Sequence, residues 1–260
     1  MKIKELYSLK DKTAIITGGG GKVGKFIVRG LWEAGAKCII LSRKKANASD
    51  LLKEAKLNGY SLSFLACDIT KEKDLIKISK KLAKNKNIKI LINNAVYTIS
   101  KNIESLTYQD WQKTYEVNLL GGFLCVKHIG QLIKKNGGGS IINIGSHYGC
   151  ISCDERIYRN KNIASSLSYA TTKSGILNFT RYIATHWAKY KIRCNTISPG
   201  GFQDKNNNDY YFRREYKKRV PLGRMAFEDD IKGVAVFLAS EASQYITGQN
   251  IIVDGGWTAW

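Results

Sequence analysis

The sequence predicts a Rossmann-like α/β fold: a single domain in which a doubly wound parallel sheet carries helices on both faces. Three features of the 260-residue chain support this prediction. Short β-branched runs alternate with amphipathic stretches from end to end, these runs are mainly apolar rather than alternately polar and apolar, and a glycine-rich turn follows the first of them. A chain of this length can bury a large core as one unit, so we expect one domain over residues 1–260.

The predicted elements alternate in order along the chain. Each strand is an apolar run, and the runs are Thr13–Thr17, Cys38–Ser42, Leu62–Cys67, Ile88–Asn93, Ser140–Ile144, Ile192–Ser198 and Gln249–Asp254. Each helix is an amphipathic stretch between two runs, and the stretches cover residues 23–34, 49–58, 71–84, 107–135, 168–190 and 228–239. The polar stretch from Gln203 to Lys218 contains Asn206, Asn207 and Asn208, and it predicts a loop or a loosely helical flap near the substrate.

The glycine-rich turn, residues 17–24, predicts a dinucleotide site. It reads Thr-Gly-Gly-Gly-Gly-Lys-Val-Gly and joins the first strand to the first helix. Glycines let the backbone turn tightly and approach a pyrophosphate, whose charge is favoured by the N-terminus of the following helix. The residues expected to bind there are Gly18, Gly21, Lys22, Val23 and Gly24.

The end of the second strand bears on the choice of cofactor. An NAD enzyme usually carries an acidic side chain there for the ribose hydroxyls, whereas this chain has Ser42 followed by Arg43. Arg43 would attract a 2′-phosphate, with Lys22 as a second cation, so NADP is the predicted cofactor and NAD the alternative.

The ends of the next two strands also carry candidate cofactor residues. Asp68 is placed either to accept a hydrogen bond from an adenine amino group or to cap the following helix. Asn93-Asn94-Ala95 ends the fourth strand, where cofactor and substrate meet in open α/β sheets.

Tyr169 and Lys173 predict the chemistry. They are four residues apart in Ser-Tyr-Ala-Thr-Thr-Lys-Ser-Gly, so on a helix they share one face. A phenol with a free pKa of about 10 is a poor acid or base near neutrality, and a neighbouring ammonium favours its ionised form. Beside a nicotinamide, such a phenol exchanges a proton with a carbinol or ketone while hydride moves. Taken alone, a solvated surface pair is the better interpretation, and the other motifs of the chain reverse that preference.

Together these motifs resemble the classical short-chain dehydrogenase/reductase family over essentially the whole chain. The set that carries the resemblance is the turn Gly18 to Gly24, Asp68, Asn93-Asn94-Ala95, Asn118, Ser146, Tyr169 with Lys173, Pro199-Gly200 and Asp254-Gly255-Gly256. The resemblance implies that Tyr169 is the general acid/base and that Lys173 lowers its pKa and holds the nicotinamide ribose. It also implies that Ser146 binds the reacting oxygen and that Asn118 supports a proton relay through water.

The resemblance further implies a set of cofactor contacts and an oligomer. Beyond the turn, the expected cofactor contacts are Ser42, Arg43, Asp68, Ile69, Asn94, Ala95, Tyr169, Lys173, Pro199 and Gly200. The family implies a homodimer or homotetramer that uses the long helices carrying Asn118 and Tyr169, with the C-terminal segment near a neighbouring subunit.

Three departures from the family pattern are specific to this chain. Lys22 replaces the middle glycine of the usual Gly-x-x-x-Gly-x-Gly turn, so the glycines read as Gly18-x-x-Gly21-x-x-Gly24. Val96 stands where glycine is customary. The stretch between Ser146 and Tyr169 is longer than usual, and the extra segment, Cys150–Leu167, is expected to shape the mouth of the site.

This insertion resembles a subgroup associated with flagellin modification and sialic-acid-like (legionaminic-type) sugar pathways. The likeness lies in His-Tyr-Gly-Cys-Ile-Ser-Cys-Asp-Glu-Arg-Ile-Tyr, the Ser-rich stretch after it and the ending Asp-Gly-Gly-Trp-Thr-Ala-Trp. It implies a phosphorylated or nucleotide-linked sugar substrate. The expected substrate contacts are Ser146, Tyr148, Tyr158, Gly201 and Phe202, with Arg156 as a further candidate, although the insertion residues are equally compatible with packing or surface roles.

The predicted function is therefore NAD(P)-dependent interconversion of a secondary alcohol and a ketone on a sugar derivative. A 3-oxoacyl-thioester reductase would use the same catalytic residues. A non-catalytic nucleotide sensor or scaffold would keep the fold, but it has no need of Ser146, Tyr169 and Lys173 together. Cys150, Cys153 and nearby His147 supply three zinc ligands at best, so no metal site is predicted.

Composition predicts a cytoplasmic protein without a macromolecular anionic partner. The formal net charge of +21 comes from lysines spread over nearly every element, so neither nucleic-acid nor membrane binding is predicted. Such a surface favours the collection of anionic substrates. The six cysteines are scattered and expected to be reduced, and no stretch reads as a signal peptide or membrane span.

Overall fold

The central sheet is parallel and reverses its strand order near the middle. A computed structural model describes residues 1–159, 167–203 and 209–260. Within these ranges the strands are β1 (Thr13–Thr17), β2 (Lys37–Ser42), β3 (Leu62–Ala66), β4 (Ile88–Asn93), β5 (Gly139–Ile144), β6 (Ile192–Pro199) and β7 (Asn250–Val253). Their order is β3-β2-β1-β4-β5-β6-β7, so the switch point where ligands bind in such sheets lies between β1 and β4.

Helices connect the strands. They are α1 (Ile3–Leu6), α2 (Lys22–Glu33), α3 (Ser49–Leu57), α4 (Glu72–Leu82), α5 (Tyr108–Tyr115), α6 (Gly121–Cys125), α7 (Gln131–Lys135), α8 (Leu167–Trp187), α9 (Tyr210–Arg219) and α10 (Asp229–Ala239). Two π-helical turns, Glu116–Leu120 and Val126–Gly130, join α5, α6 and α7 into one continuous helix. None of the helices in the described ranges has the length and apolar character needed to cross a bilayer.

Two apolar clusters cover the two faces of the sheet. Successive side chains of β1 point to opposite faces, so Ile16 belongs to the cluster formed with α2 and α10, and Ile15 to the cluster formed with α4 and α8. Burying each such side chain stabilises the fold by roughly 1.5–3 kcal/mol. The predicted Rossmann-like fold is confirmed, and strand bounds differ from the predicted ones by at most a residue or two.

A third, smaller cluster lies outside the sheet. It contains Ile157 from the predicted insertion together with Tyr216, Val220, Met225 and Trp257, and we call it the outer cluster. The predicted flap therefore contains a regular helix, α9, that packs against the insertion. The predicted asparagine run at 206–208 and the serines of the Ser-rich stretch at 165 and 166 lie outside the described residues.

Candidate active site

The glycine turn leaves no room for a side chain at four of its glycines: a Cβ at Gly18, Gly19, Gly20 or Gly24 would lie less than 3.0 Å from a neighbouring atom. Gly18 has a φ of +62°, and a Cβ there would lie 2.9 Å from Cα of Ala95. A Cβ on Gly24 would lie 2.5 Å from the carbonyl oxygen of Gly18. The amide of Gly21 donates to that same oxygen at 2.9 Å, and α2 begins at the next residue. The N-terminus of α2 therefore opens directly onto the turn.

Thr17 and Asn94 join the ends of β1 and β4 beside this turn. The hydroxyl of Thr17 accepts hydrogen bonds from the amides of Asn94 and Ala95, each at 3.0 Å. The amide side chain of Asn94 donates to the carbonyls of Thr17 and Gly18, also at 3.0 Å. Thr17 was not among the predicted site residues, although its place between strand and turn was a usable signal.

A cleft of about 410 Å³ runs along these strand ends. It brings together the predicted cofactor residues Gly18, Gly21, Lys22, Val23, Gly24, Ser42, Arg43, Asp68, Ile69, Asn94 and Ala95. Val96, one of the departures from the family pattern, lines it as well. Glycines, the N-terminus of α2 and the cations Lys22, Arg43 and Lys113 thus line one cavity, and this is a donor set suited to a dinucleotide phosphate.

The side chain of Asp68 stabilises the turn between β3 and α4 that lines this cleft. Its carboxylate accepts from the amide of Thr70 at 3.1 Å and from the hydroxyl of Thr70 at 2.8 Å, two residues before α4 begins. Desolvation raises the pKa of Asp68, but the Thr70 hydrogen bonds and the charges of Lys71 and Arg43 outweigh it and leave the pKa below its ordinary value. The helix itself begins at Glu72 with Lys71 as its N-cap, so the Asp68 carboxylate stabilises the preceding turn and does not cap α4. Adenine recognition by Asp68 stays a prediction.

The predicted catalytic residues meet at the ends of β5 and α8. Ser146 follows β5, and its hydroxyl is hydrogen-bonded to the hydroxyl of Tyr169 on α8. The ammonium of Lys173 donates to the carbonyl of Ile144 at 2.6 Å and lies 5.6 Å from the centre of the Tyr169 ring. Serine, phenol and ammonium therefore share one pocket, as the spacing on the sequence predicts.

Burial shifts both titratable groups of this trio. It raises the pKa of Tyr169, against the opposing effect of the hydrogen bond from Ser146. It lowers the pKa of Lys173 to about 7, because a fully buried ammonium loses its hydration. The predicted effect of the Lys173 charge on the phenol stays a prediction.

Asn118 lies in the first π-helical turn and fastens a loop to α8. Its side-chain oxygen accepts from the amide of Tyr97 at 2.8 Å, and its side-chain nitrogen donates to the carbonyl of Tyr97 at 3.1 Å and to the hydroxyl of Thr172 at 3.0 Å. Thr172 precedes Lys173, and Asn118 and Lys173 line the same small cavity. The predicted proton relay through Asn118 stays a prediction.

A second pocket of about 330 Å³ adjoins the catalytic trio. It is lined by all five predicted substrate residues, Ser146, Tyr148, Tyr158, Gly201 and Phe202, and by the predicted cofactor residues Pro199 and Gly200. Val23 and Asn94 line this pocket and the cofactor cleft alike, so the two cavities meet beside the glycine turn.

Among the pocket residues that were not predicted as site residues are His147, Phe212 and Tyr216. The amide of Gly201 donates to the hydroxyl of Tyr216, so α9 holds the loop that follows β6. Nδ1 of buried His147 lies 3.1 Å from the carbonyl of Pro199, and burial lowers the pKa of this imidazole. The position of His147 directly after Ser146 was the available signal, but its neighbours Cys150 and Cys153 suggested only a zinc reading.

Ion pairs fasten the insertion to α9. Asp154 receives the guanidinium of Arg219 at 2.8 Å and that of Arg156 at 2.9 Å. The hydrogen bond from Arg156, with the charge of Arg219, lowers the pKa of Asp154 to about 2. Arg156 thus pairs with Asp154 on the protein surface, where its side chain is 79% exposed.

The cysteines show no arrangement for metal binding. All six are free thiols, and Cys150 is exposed, with its sulfur 3.1 Å from the side-chain amide of Asn250. Over residues 1–159, 167–203 and 209–260, no group of three or more His, Cys, Asp or Glu side chains is placed to hold a metal ion.

Comparison with known proteins places this geometry in a family. A family model described as enoyl-(acyl carrier protein) reductase matches residues 22–258. The chain is 31% identical to an NAD-dependent glycerol dehydrogenase of Listeria innocua, covering 97% of this chain and 96% of the relative. It is 32% identical to a 2-dehydro-3-deoxy-D-gluconate 5-dehydrogenase of Bacillus subtilis, covering 98% of each.

The fold of a solved relative superimposes over the whole chain. A gluconate 5-dehydrogenase from Burkholderia cenocepacia, crystallised with NADP and tartrate, is 30% identical with a TM-score of 0.89 and complete coverage of both chains. This chain belongs to the short-chain dehydrogenase/reductase family. The enzyme is therefore an NAD(P)-dependent oxidoreductase that interconverts alcohols and carbonyl compounds.

Proposed function

We propose that this short-chain dehydrogenase oxidises a secondary alcohol, or reduces the matching ketone, on an anionic sugar derivative. The observation that carries the chemistry is the hydrogen bond between Ser146 and Tyr169 beside the buried ammonium of Lys173. A reacting oxygen placed between serine and phenol would accept hydrogen bonds from both. Tyr169 would then give it a proton during reduction or take one during oxidation.

The cofactor cleft fits a nicotinamide dinucleotide, because it is lined by the glycine turn, the N-terminus of α2 and the cations Lys22 and Arg43. When bound, the nicotinamide supplies or accepts the hydride. Gly18, Gly21 and the N-terminus of α2 would hold the pyrophosphate, and Tyr169 and Lys173 face the pocket next to the cleft. The ammonium of Lys173 would donate to the ribose as well as to Ile144, since it has three donors.

The decisive experiment for this chemistry is Tyr169→Phe. We expect turnover to fall by about 10²–10⁴-fold, because the ring is kept and the proton donor is lost. The affinity for NADPH should stay within about twofold, since the backbone turn is unchanged. A variant that retains wild-type turnover would refute the role of Tyr169. A wild type that binds NADPH without turning over any alcohol or ketone would favour the sensor or scaffold alternative.

We further propose NADP as the preferred cofactor. Arg43 lines the cleft after β2, near enough to Asp68 to influence its pKa, and no acidic residue occupies positions 42–44. Paired titration with NADPH and NADH should show tighter binding of NADPH, and Arg43→Met should weaken NADPH by about tenfold while changing NADH little. Equal loss for both cofactors would show that Arg43 does not recognise the 2′-phosphate.

The aromatic pocket walls support a sugar-like substrate, and the basic residues of α9 outside the pocket are what favour an anionic one. Aromatic rings of Tyr148, Tyr158 and Phe212 offer flat faces beside the catalytic trio, and cationic Arg213 and Lys217 line a separate small cavity on α9. The named relatives act on glycerol and a gluconate derivative, which are polyols and sugar acids. A phosphorylated or nucleotide-linked sugar of the flagellin-modifying or sialic-acid-like kind is the finer form of the proposal, and it rests on the resemblance of the insertion.

A substrate panel separates these forms. Turnover of sugar phosphates or nucleotide sugars at least about tenfold better than of glycerol and gluconate would support the finer form. A preference for gluconate would keep the proposal of a sugar-derived substrate and refute the proposal of a phosphorylated or nucleotide-linked one. Turnover of 3-oxoacyl thioesters alone would overturn the sugar proposal. These thioesters are included in the panel because the matching family model is described as an enoyl-(acyl carrier protein) reductase.

We also propose a cytoplasmic homodimer or homotetramer. Tyr115 and Phe123 on the long helix and Tyr182 on α8 are 52%, 46% and 58% exposed, and these two helices are the ones expected to form the subunit contact. Six free thiols suit a reducing compartment. Sedimentation equilibrium would give the mass, and a monomer at micromolar concentration would contradict the proposed assembly.

A further inference from the structure

Lys22 connects the two cavities of the site. It is the first residue of α2 and lines the cofactor cleft, yet its ammonium donates to the carbonyl of Phe202 at 3.1 Å. Phe202 lines the substrate pocket and lies on the loop that follows β6. The bond therefore runs from the phosphate-binding turn to the wall of the neighbouring pocket.

The same loop is held by a second contact from α2. Phe26, four residues after Lys22 and on the same face of the helix, packs its ring against Phe202 with the centres 5.6 Å apart. Lys22 and Phe26, on one face of α2, therefore make a polar and an apolar contact with the same residue, Phe202. A glycine at position 22, as in the family pattern, would leave only the ring contact.

Phe202 is in turn linked to α9. Its backbone pairs with Ala226, and the preceding Gly201 exchanges bonds with two partners: its carbonyl accepts from the amide of Ala226 at 2.9 Å, and its amide donates to the hydroxyl of Tyr216. Tyr216 is buried in the outer cluster and lines the substrate pocket. A displacement of Phe202 would therefore be passed to the helix that walls the pocket.

We propose that Lys22 is a positioning residue that couples dinucleotide binding to the shape of the substrate pocket. An ammonium has three donors, so one can serve a phosphate oxygen at the N-terminus of α2 while another keeps the Phe202 carbonyl. A bound pyrophosphate fixes the ammonium in place and, through Phe202 and Gly201, steadies α9. The inference rests on the proposed dinucleotide site and adds to it a route by which the cofactor orders the second pocket.

Trypsin reports on this coupling without a substrate, because Arg214, Lys217 and Lys218 are exposed cleavage sites on α9. We expect saturating NADPH to slow cleavage of wild-type α9 by at least about fivefold. Lys22→Met, which keeps the aliphatic stem and removes the donors, should lose most of this protection at NADPH concentrations that saturate the variant. Lys22→Arg should restore protection in part. Lys25→Met is the matched control, since Lys25 lies on the same helix and its ammonium forms a long ion pair with exposed Asp50 at 3.8 Å.

Kinetics gives the second readout. With NADPH saturating, Lys22→Met should raise the KM of the sugar substrate by about fivefold or more and change kcat by less than about twofold. Equal loosening of α9 with and without NADPH in Lys22→Met would overturn the coupling and leave a purely structural contact. A loss of NADPH affinity with protection and KM unchanged would also overturn it, because Lys22 would then be only a phosphate ligand.

Failure of the proposed function has a different signature. A wild type that turns over no alcohol or ketone, while NADPH still protects α9 and Lys22→Met abolishes that protection, would refute the enzyme proposal and support the coupling.

Discussion

The cofactor cleft and the substrate pocket meet beside the glycine turn but are held together by different kinds of contact. In the cleft, backbone groups of β1 and β4 are joined by two short side chains, Thr17 and Asn94, at 3.0 Å. In the pocket, rings and ion pairs from the insertion and α9 make the outer wall. The backbone-built cleft leaves little freedom to a substituted side chain, whereas the wall can be repacked.

This difference predicts that mutations in the cleft and mutations in the wall affect ligand binding differently. A change in the cleft moves main-chain atoms and should act steeply on cofactor binding. A change in the wall removes one contact among several and should act gradually on the substrate, because neighbouring rings still exclude water.

The largest effect is expected for Gly24→Ala. Its Cβ would lie 2.5 Å from the carbonyl of Gly18 and 2.8 Å from the side-chain nitrogen of Asn94, so the turn has to shift. NADPH affinity measured by titration should fall on the order of 100-fold. Gly233→Ala is the control, since nothing lies within 4 Å of that Cβ on α10. It should bind NADPH normally and be more stable by roughly 0.5–1 kcal/mol. Normal binding by Gly24→Ala would show that the cleft is as adaptable as the wall.

The next effect is a pH dependence of stability from Lys173, which lies where cleft and pocket meet. Burial lowers its pKa to about 7, whereas an unfolded lysine titrates near about 10.4. Between these values the unfolded chain binds the extra proton, so the free energy of unfolding should increase as pH rises from about 7 to about 10. We expect wild type to gain on the order of 2 kcal/mol over Lys173→Met across this window in denaturant titrations. Parallel curves for the two proteins would contradict a depressed pKa.

The smallest effect is expected for Asp154→Asn in the wall. It removes the charge that holds Arg219 and should raise the substrate KM by about fivefold and cost about 1 kcal/mol of stability, with NADPH affinity unchanged. Asp50→Asn is the control, because the exposed Asp50–Lys25 pair at 3.8 Å contributes little. If NADPH affinity falls while the substrate KM rises, cleft and wall do not respond independently.

Much of the cleft was predictable because its signals are local. Glycines after β1, Ser42 and Arg43 after β2, and Asn94 after β4 each stand at a strand end, and parallel strands bring their ends to one edge. The spacing of Tyr169 and Lys173 on one helix face was a local signal too. The core strands could be located for the same reason, since each is a continuous apolar run.

The wall was less predictable because its contacts join distant parts of the chain. Ile157 is buried against Tyr216 and Trp257, and Asp154 pairs with Arg219, yet no periodicity in the sequence links these positions. The flap was therefore expected as a loop or a loose helix, and α9 is instead a regular helix capped by the Asp209 side chain at the amide of Phe212. His147 was considered only as a zinc ligand, because the sequence does not show that its partner is the carbonyl of Pro199 on β6.

The outer cluster also has a consequence for the order in which the protein acquires its parts during translation. Ile157 leaves the ribosome well before Tyr216, Val220, Met225 and Trp257, which together bury it. The part of the sheet that lines the cofactor cleft, strands β1 to β4, can fold while the insertion still lacks its packing partners. A nascent chain should therefore become able to hold its coenzyme before it can select what that coenzyme will react with.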